Sequence, residues 1–203
     1  MKSLKTLFLS AHASELKPLV NLGRKYQLIR GDNAYLAAGI GPVAATFGLT
    51  HFLEDYRPQR IIAVGTAGVI NTKKFKTGDM VVAKSVATAS GLTAAYTPKL
   101  QAQKILLPVG ARHSITQAKI YSPQEITKDK MWITPFTHAG HDIEHLEAFA
   151  FAFVAKKFRI PISIVLGLTN VIGPNAHRDW IKNQGQMIKK ACQIASHGLG
   201  HIA

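Results

Sequence analysis

Residues 143–180, IEHLEAFAFAFVAKKFRIPISIVLGLTNVIGPNAHRDW, carry the pattern that decides the fold class. From Ile143 onward, alanine and phenylalanine recur at helical spacing, which predicts a helix with Glu147 under its apolar face. Ile160-Pro161 marks a short turn. ISIVLGL is a continuous apolar run of strand length, and it gives way to Thr169-Asn170. A polar loop then opens a last helix, where IKNQGQMIKKACQIASH has apolar residues at helical spacing. Helix, buried strand and helix in that order indicate an α/β sheet, in which ligands bind beyond the carboxyl ends of the strands. Asn170, ending such a strand, is a candidate site residue, and Glu147 is a second. Taken alone, the same pair is better read as a capping amide and a solvated carboxylate.

Upstream, KTLFLS (5–10) is expected as a buried strand, followed by a helix from about Ala13 to Leu22 capped near Ser10 or Ser14. Glu15 falls in that helix's first turn, where it either complements the helix dipole or places a carboxylate at the mouth of the first strand. YQLIR (26–30) and AYLAA (34–38) flank Gly31-Asp32-Asn33, a hairpin turn. In GIGPVAATFGLTHFLEDY, Gly39 and Gly41 permit a tight turn, Pro42 suits the first helical position, and the helix runs to about Tyr56. The same glycines match a dinucleotide fingerprint, but the next strand lacks its acid and the motif does not begin the fold. The milder expectation is a turn whose amides face an anion or a ribose. IIAVGTAG (61–68) is expected as a buried strand ending in a Gly-rich turn whose Thr66 hydroxyl and backbone amides face a pocket. Further strands are expected after Gly78-Asp79, in KILLPV (104–109) and near AKIY (118–121). The order gives an α/β fold with a mixed, twisted central sheet flanked by helices in three layers, as one domain over 1–203.

Composition narrows the function classes. Apolar residues make up 47% of the 203, which excludes wholesale disorder. No run reaches the apolar length of a membrane span, and MKSLKTLFLS, running on into AHASELKPL, fits a first strand and helix better than a signal peptide. The single cysteine, Cys192, excludes an internal disulfide and a cysteine zinc cage; it suits a reducing cytosol and is expected to be inert. The net charge of +14 is dispersed along the chain, with no zinc finger or RNA-recognition motif beside it. It fits an anionic substrate as well as a nucleic acid. His141 and His145 are four apart, as are His197 and His201, and His138 is three before His141. Spacing of four puts two imidazoles on one helix face, yet no third ligand is obvious, so no metal is expected.

Four segments in order carry a family resemblance: the first strand with AHASEL, GIGPVAA before a helix, VGTAGVI with KTGDMVVA, and residues 143–180. Over most of its length the chain resembles the nucleoside phosphorylase/nucleosidase superfamily. It is most similar to futalosine hydrolases, whose helix begins Val-Glu-Asn-Met-Glu, against Ile143-Glu144-His145-Leu146-Glu147 here. Their last strand ends Ser-Asn-x-Val-Gly-Pro with a Trp beyond, against Thr169-Asn170-Val171-Ile172-Gly173-Pro174 and Trp180. Methylthioadenosine/S-adenosylhomocysteine nucleosidases are a second similar group, with Ser-Asp at the position of Thr169-Asn170.

The resemblance implies cleavage of the N-ribosidic bond of a purine nucleoside by a cytoplasmic homodimer without a cofactor, with futalosine as substrate and a place in menaquinone biosynthesis. It implies that Glu147 binds the ribose hydroxyls and stabilises the cationic sugar, that Glu15 holds or activates water, and that Asn170 contacts the base. Gly41, Thr66, Ala67, Gly68, His145, Leu146 and Thr169 would line the substrate. An Asn at 170 cannot protonate adenine N7, but its NH2 can donate to the oxygen edge of a 6-oxopurine. Phosphorylases of the superfamily carry Arg before the Val-Gly of the third segment, where this chain has Ala63, and Arg after the first strand, where it has SAHASE. Without that fork, water is the expected nucleophile. Leu166 and Asn175 replace arginines of the futalosine hydrolases, Leu146 replaces a Met, and Phe149 is bulkier than the usual residue. Trp132, Phe136 and Tyr121 are the candidates to stack on the base. The alternatives are a methylthioadenosine/S-adenosylhomocysteine nucleosidase, a phosphorylase, or a silent member that binds a nucleoside or RNA through its basic surface.

Overall fold

The computed structural model describes residues 2–23, 25–88, 100–101, 115–129, 131 and 133–197. The expected KILLPV strand, Trp132 and His201 lie outside them. In chain order the elements are β1 (Lys2–Ser10), α1 (Ala13–Leu16), β2 (Gln27–Arg30), β3 (Asn33–Ala37), α2 (Pro42–Asp55), β4 (Tyr56–Val69) and β5 (Met80–Ala87). Then come β6 (Leu100–Gln101), β7 (Ile115–Tyr121), α3 (Ile133–His138), β8 (Ile143–Glu144), α4 (Ala148–Lys157), β9 (Ile162–Val171) and α5 (Ala176–His197).

Among the described residues nine strands form one mixed sheet in the order β2-β3-β1-β4-β8-β7-β5-β6, with β9 paired to both β4 and β5. Those two pairings close β4, β9, β5, β7 and β8 into a ring, so part of the sheet is barrel-like. The β1, β4 and β9 strands run parallel, and their carboxyl ends therefore emerge at one end of the molecule. One face buries Leu49, Phe52 and Leu53 of α2 with Phe151, Val154 and Ala155 of α4. The other buries Leu16 of α1 with Ile188, Ala191 and Cys192 of α5 against Phe8, Val64 and Val165. The three-layer α/β arrangement is as the sequence indicates. Among the described residues no helix is long and apolar enough to cross a membrane.

Several local expectations need correction. The first helix stops at Leu16 rather than Leu22, because Pro18 has no amide to donate and its ring clashes with the preceding turn. Leu19 and Val20 instead fold back to the Leu16 carbonyl. Its cap is His12, not Ser10 or Ser14. The segment from Ile143 begins as a strand, pairing with Gly68 and Val69 of β4 and with Ile120 and Tyr121 of β7. Ladder bonds on two sides outweigh helical spacing there, and α4 starts only at Ala148 with Glu147 as its N-cap. His141 and His145 consequently share no helix face. The turn at Ile160-Pro161 holds: Arg159 is left-handed (φ 56), and the Ile160 amide closes the helix on the Ala155 carbonyl. The hairpin and the Pro42 start of α2 are also as expected.

Candidate active site

Polar side chains collect where β1, β4 and β9 end. Glu15 arrives there because α1 is a single capped turn. The Glu15 carboxylate accepts the His12 amide at 3.1 Å while the His12 ring accepts the Ser14 amide, a reciprocal capping box. Glu15 as a residue is half-buried, but its carboxyl reaches inward to the middle of β4. Burial pushes that carboxyl up to about 7, against the pull of the amides of His12, Ala11 and Thr66. The negative charge of Glu147 adds to the rise, so the two carboxylates are electrostatic neighbours.

Gly65 makes room for this meeting. A Cβ there would stand 2.9 Å from His145 Nε2 and 3.4 Å from both Glu15 Oε1 and Leu166 Cδ2. The bare backbone of β4 is thus the floor on which Glu15 and His145 converge. Leu166, fully buried, supplies an apolar wall in place of the arginine that the resemblance implies.

Glu147 is buried and takes its position from two sides. Its Oε1 accepts the Gly41 amide at 2.8 Å. Gly41 has φ 85, a conformation that suits glycine, and it caps α2 with Pro42 at the start of the helix. The expected anion at this glycine turn is therefore the protein's own Glu147. On the other side, His145 Nδ1 accepts the amides of Glu147 and Ala148 at 3.3 and 3.1 Å, which leaves the ring proton on Nε2. Burial lowers the His145 pKa, partly offset by Glu147. The approach of Glu147 Oε2 to Nδ1 at 3.5 Å is accordingly a contact with a neutral ring, not an ion pair. His145 caps α4 and turns a single N–H toward Glu15 and Gly65.

Asn170 lies on β9 across from Gly68, whose missing Cβ leaves Nδ2 of Asn170 only 3.1 Å from that point. Thr169 donates its hydroxyl to Asn170 Oδ1 at 2.8 Å. That bond fixes the amide so that Nδ2 is the edge available as a donor; among the described residues its hydrogen-bond partner is the Val171 carbonyl at 3.3 Å. Thr66 Oγ accepts from Trp180 Nε1 at 3.1 Å, and Asn183 donates to the Thr169 carbonyl at 2.8 Å, so α5 braces both strand ends. Ala67 is buried, and Leu146 is partly exposed beside Glu147. Of the stacking candidates, Tyr121 and Phe136 pack on each other with centroids 4.4 Å apart, in a small cluster with Ile70 and Ile172. Phe149 stacks on Phe153 at 6.1 Å, and Asn175 is exposed.

Two residues escaped the sequence reading of the site. Ser122 is buried, donates to the His145 carbonyl at 2.6 Å and accepts the Phe149 amide at 3.0 Å, so it staples the turn that carries Glu147. Nothing in a polar loop marks one serine for that role. Glu144 stood in the quoted motif without being singled out. It is buried, accepts the Thr127 amide at 3.1 Å through Oε1, has no protein partner for Oε2 among the described residues, and is shifted upward by burial. Cys192 is buried, donates to the Glu15 carbonyl at 3.3 Å, and burial pushes its thiol up to about 12, which suits an inert thiol. Among the described residues no three His, Cys, Asp or Glu side chains gather as metal ligands.

The family model described as "Phosphorylase superfamily" matches residues 18–128. Among solved structures, the futalosine hydrolase of Helicobacter pylori superposes with a TM-score of 0.84 at 15% identity, covering 98% of each chain. A mutant 5'-methylthioadenosine/S-adenosylhomocysteine nucleosidase of the same organism, with 5'-methylthioadenosine in its active site, gives 0.85 at 16% identity over 98% of this chain and 99% of that one. A putative nucleosidase of that kind from Borrelia burgdorferi, bound to adenine, gives 0.81 at 18% identity over 96% and 98%. At such identities the likeness is one of fold.

Proposed function

The chain belongs to the phosphorylase superfamily, and from that premise we propose that it is a hydrolytic purine nucleosidase acting on a 6-oxopurine nucleoside. The observation that carries this reading is the pair Glu15 and Glu147, with Glu15 held at about 7 by burial and by its neighbour's charge. A carboxyl poised there serves as a general base near neutral pH. In the proposed reaction the bond from the anomeric carbon to the purine breaks and its electron pair leaves with the base. The Glu147 carboxylate faces the cationic sugar through Oε2, since Gly41 holds Oε1. Water bonds to the anomeric carbon and gives its proton to Glu15, while the purine takes a proton from solvent.

Water rather than phosphate is favoured by the placement of the arginines. Among the described residues Arg57 and Arg60 stand at the start of β4, Arg159 before β9 and Arg30 at the β2–β3 turn, all away from the carboxyl ends. Arg178 is nearer, but is exposed and pairs with Asp179. The oriented Asn170 amide supports an oxopurine, because a donor meets the oxygen of hypoxanthine and clashes with the amino group of adenine. Futalosine, in menaquinone biosynthesis, is the specific substrate that fits this choice. We further place the enzyme in the cytoplasm as a homodimer joined near Gly41, where Ile40, Val43 and Phe47 expose an apolar stripe.

The test is incubation with futalosine, inosine, methylthioadenosine and S-adenosylhomocysteine, with and without phosphate. Free hypoxanthine-type base released without phosphate is the expected result. A strict need for phosphate overturns hydrolysis, preference for the adenine nucleosides overturns the base assignment, and no release from any of them leaves a silent binding protein.

A further inference from the structure

A groove of about 450 Å³ lies between α1 and α5, on the far side of α1 from the Glu15 carboxyl. It arises because Pro18 ends α1 after one turn, so the chain at Leu19 folds back and leaves the adjoining face of α5 uncovered. The floor is apolar: Pro18, Leu19, Ile188 and Cys192. Gly185 deepens it, since a Cβ there would meet no atom within 4 Å. In a 22-residue helix glycine costs stability, so its presence on this wall is otherwise unexplained. Exposed Lys17, just after α1, and Lys189 on α5 line the groove, no carboxylate lines it, and neither lysine has an ion pair among the described residues. The volume lies in the range of small-molecule sites.

We propose that this groove binds a small amphiphilic anion, a carboxylate on a short aliphatic or aryl body, with its charge between Lys17 and Lys189 and its apolar part over Ile188 and Gly185. The two halves of the lining select that class. A naked polyanion would leave the apolar floor uncovered, and a neutral hydrocarbon would leave the lysines without a counter-charge. The site is separate from the candidate active site, because the Glu15 carboxyl faces β4 and only its main chain, through the Cys192 thiol, touches the groove.

Calorimetric titration of the full chain with octanoate, octanol and sulfate tests this. Saturable binding of one octanoate, at least tenfold tighter than octanol or sulfate, is expected. Octanoate affinity falls at least tenfold in the Lys17→Glu/Lys189→Glu double variant while the thermal midpoint is retained. Gly185→Phe fills the groove and abolishes binding; its midpoint holds or rises, because a better helix former replaces glycine. Absence of octanoate binding, equal affinity for octanol or sulfate, or binding that survives Gly185→Phe overturns the proposal.

Discussion

Glu15 has a carboxyl whose folded value, about 7, lies above its ordinary value of 4.5. Below pH 4.5 the group is neutral in both folded and unfolded chains and burial costs nothing. Between 4.5 and 7 the unfolded chain releases a proton that the folded chain keeps, so stability falls as pH rises, and above 7 the penalty is complete. Because the residue is half-buried, the full cost is on the order of 2 kcal/mol. Glu15→Gln removes it: urea unfolding should find the variant more stable than the parent by about that amount at pH 8, with no difference at pH 4. A constant gap across that range would mean the carboxyl does not titrate as described. The same substitution should lower turnover on the order of 100-fold or more, and parental turnover should rise with pH through 7, as a base that must be ionised requires. These residues differ in how readable they were. Glu147 and Asn170 stand out in sequence because each is polar beside an apolar run. His145 is named there only as a lining residue, since its neutral tautomer and its cap on α4 depend on amides that face it only after the turn is folded.

At the level of elements, the helix α2 shows how close packing positions a site residue. A Cβ on Gly48 would lie 2.1 Å from the Ala38 carbonyl oxygen, so the helix rests directly on the end of the β3 segment. Gly48→Ala must push α2 outward and with it the Gly41 amide that holds Glu147. The expected loss is about 3 kcal/mol in thermal unfolding, together with reduced nucleosidase activity. An unchanged melting midpoint would show that α2 sits farther from β3. Legibility follows range here as well. The Pro42 start, the Gly31 hairpin and the Ile160-Pro161 turn are local effects of backbone chemistry, and all three are visible in the chain. The length of α1 is legible too once Pro18 is weighed against the apolar pattern that continues to Leu22. The strand at Ile143–Glu144 was invisible, because its ladder partners, Gly68–Val69 and Ile120–Tyr121, are remote in sequence.

For the whole molecule, the exposed stripe of Ile40, Val43 and Phe47 (65%, 81% and 72% exposed) borders Gly41 and is the surface assigned to the second copy. Sedimentation should find a dimer, and Phe47→Glu should convert it to a monomer with an unchanged circular dichroism spectrum; a monomeric parent would remove the homodimer from the proposal. The net charge of +14 also looks different at this scale. The carboxylates of Glu144 and Glu147 are buried and Asp142 is engaged by Lys74, so three of the eleven acidic residues are withdrawn from the surface. By itself the sequence determined the α/β class, the strand that carries Asn170 and the acid of the first turn. Each follows from spacing, local backbone preference or motif order along a single chain. Only the tertiary structure decided that β9 closes a ring with β4 and β5, that Gly65 is the floor where Glu15 meets His145, and that Glu147 answers to the Gly41 amide. Those are contacts between segments far apart in sequence, and their strength comes from the water excluded when the segments meet, which no single stretch of chain encodes.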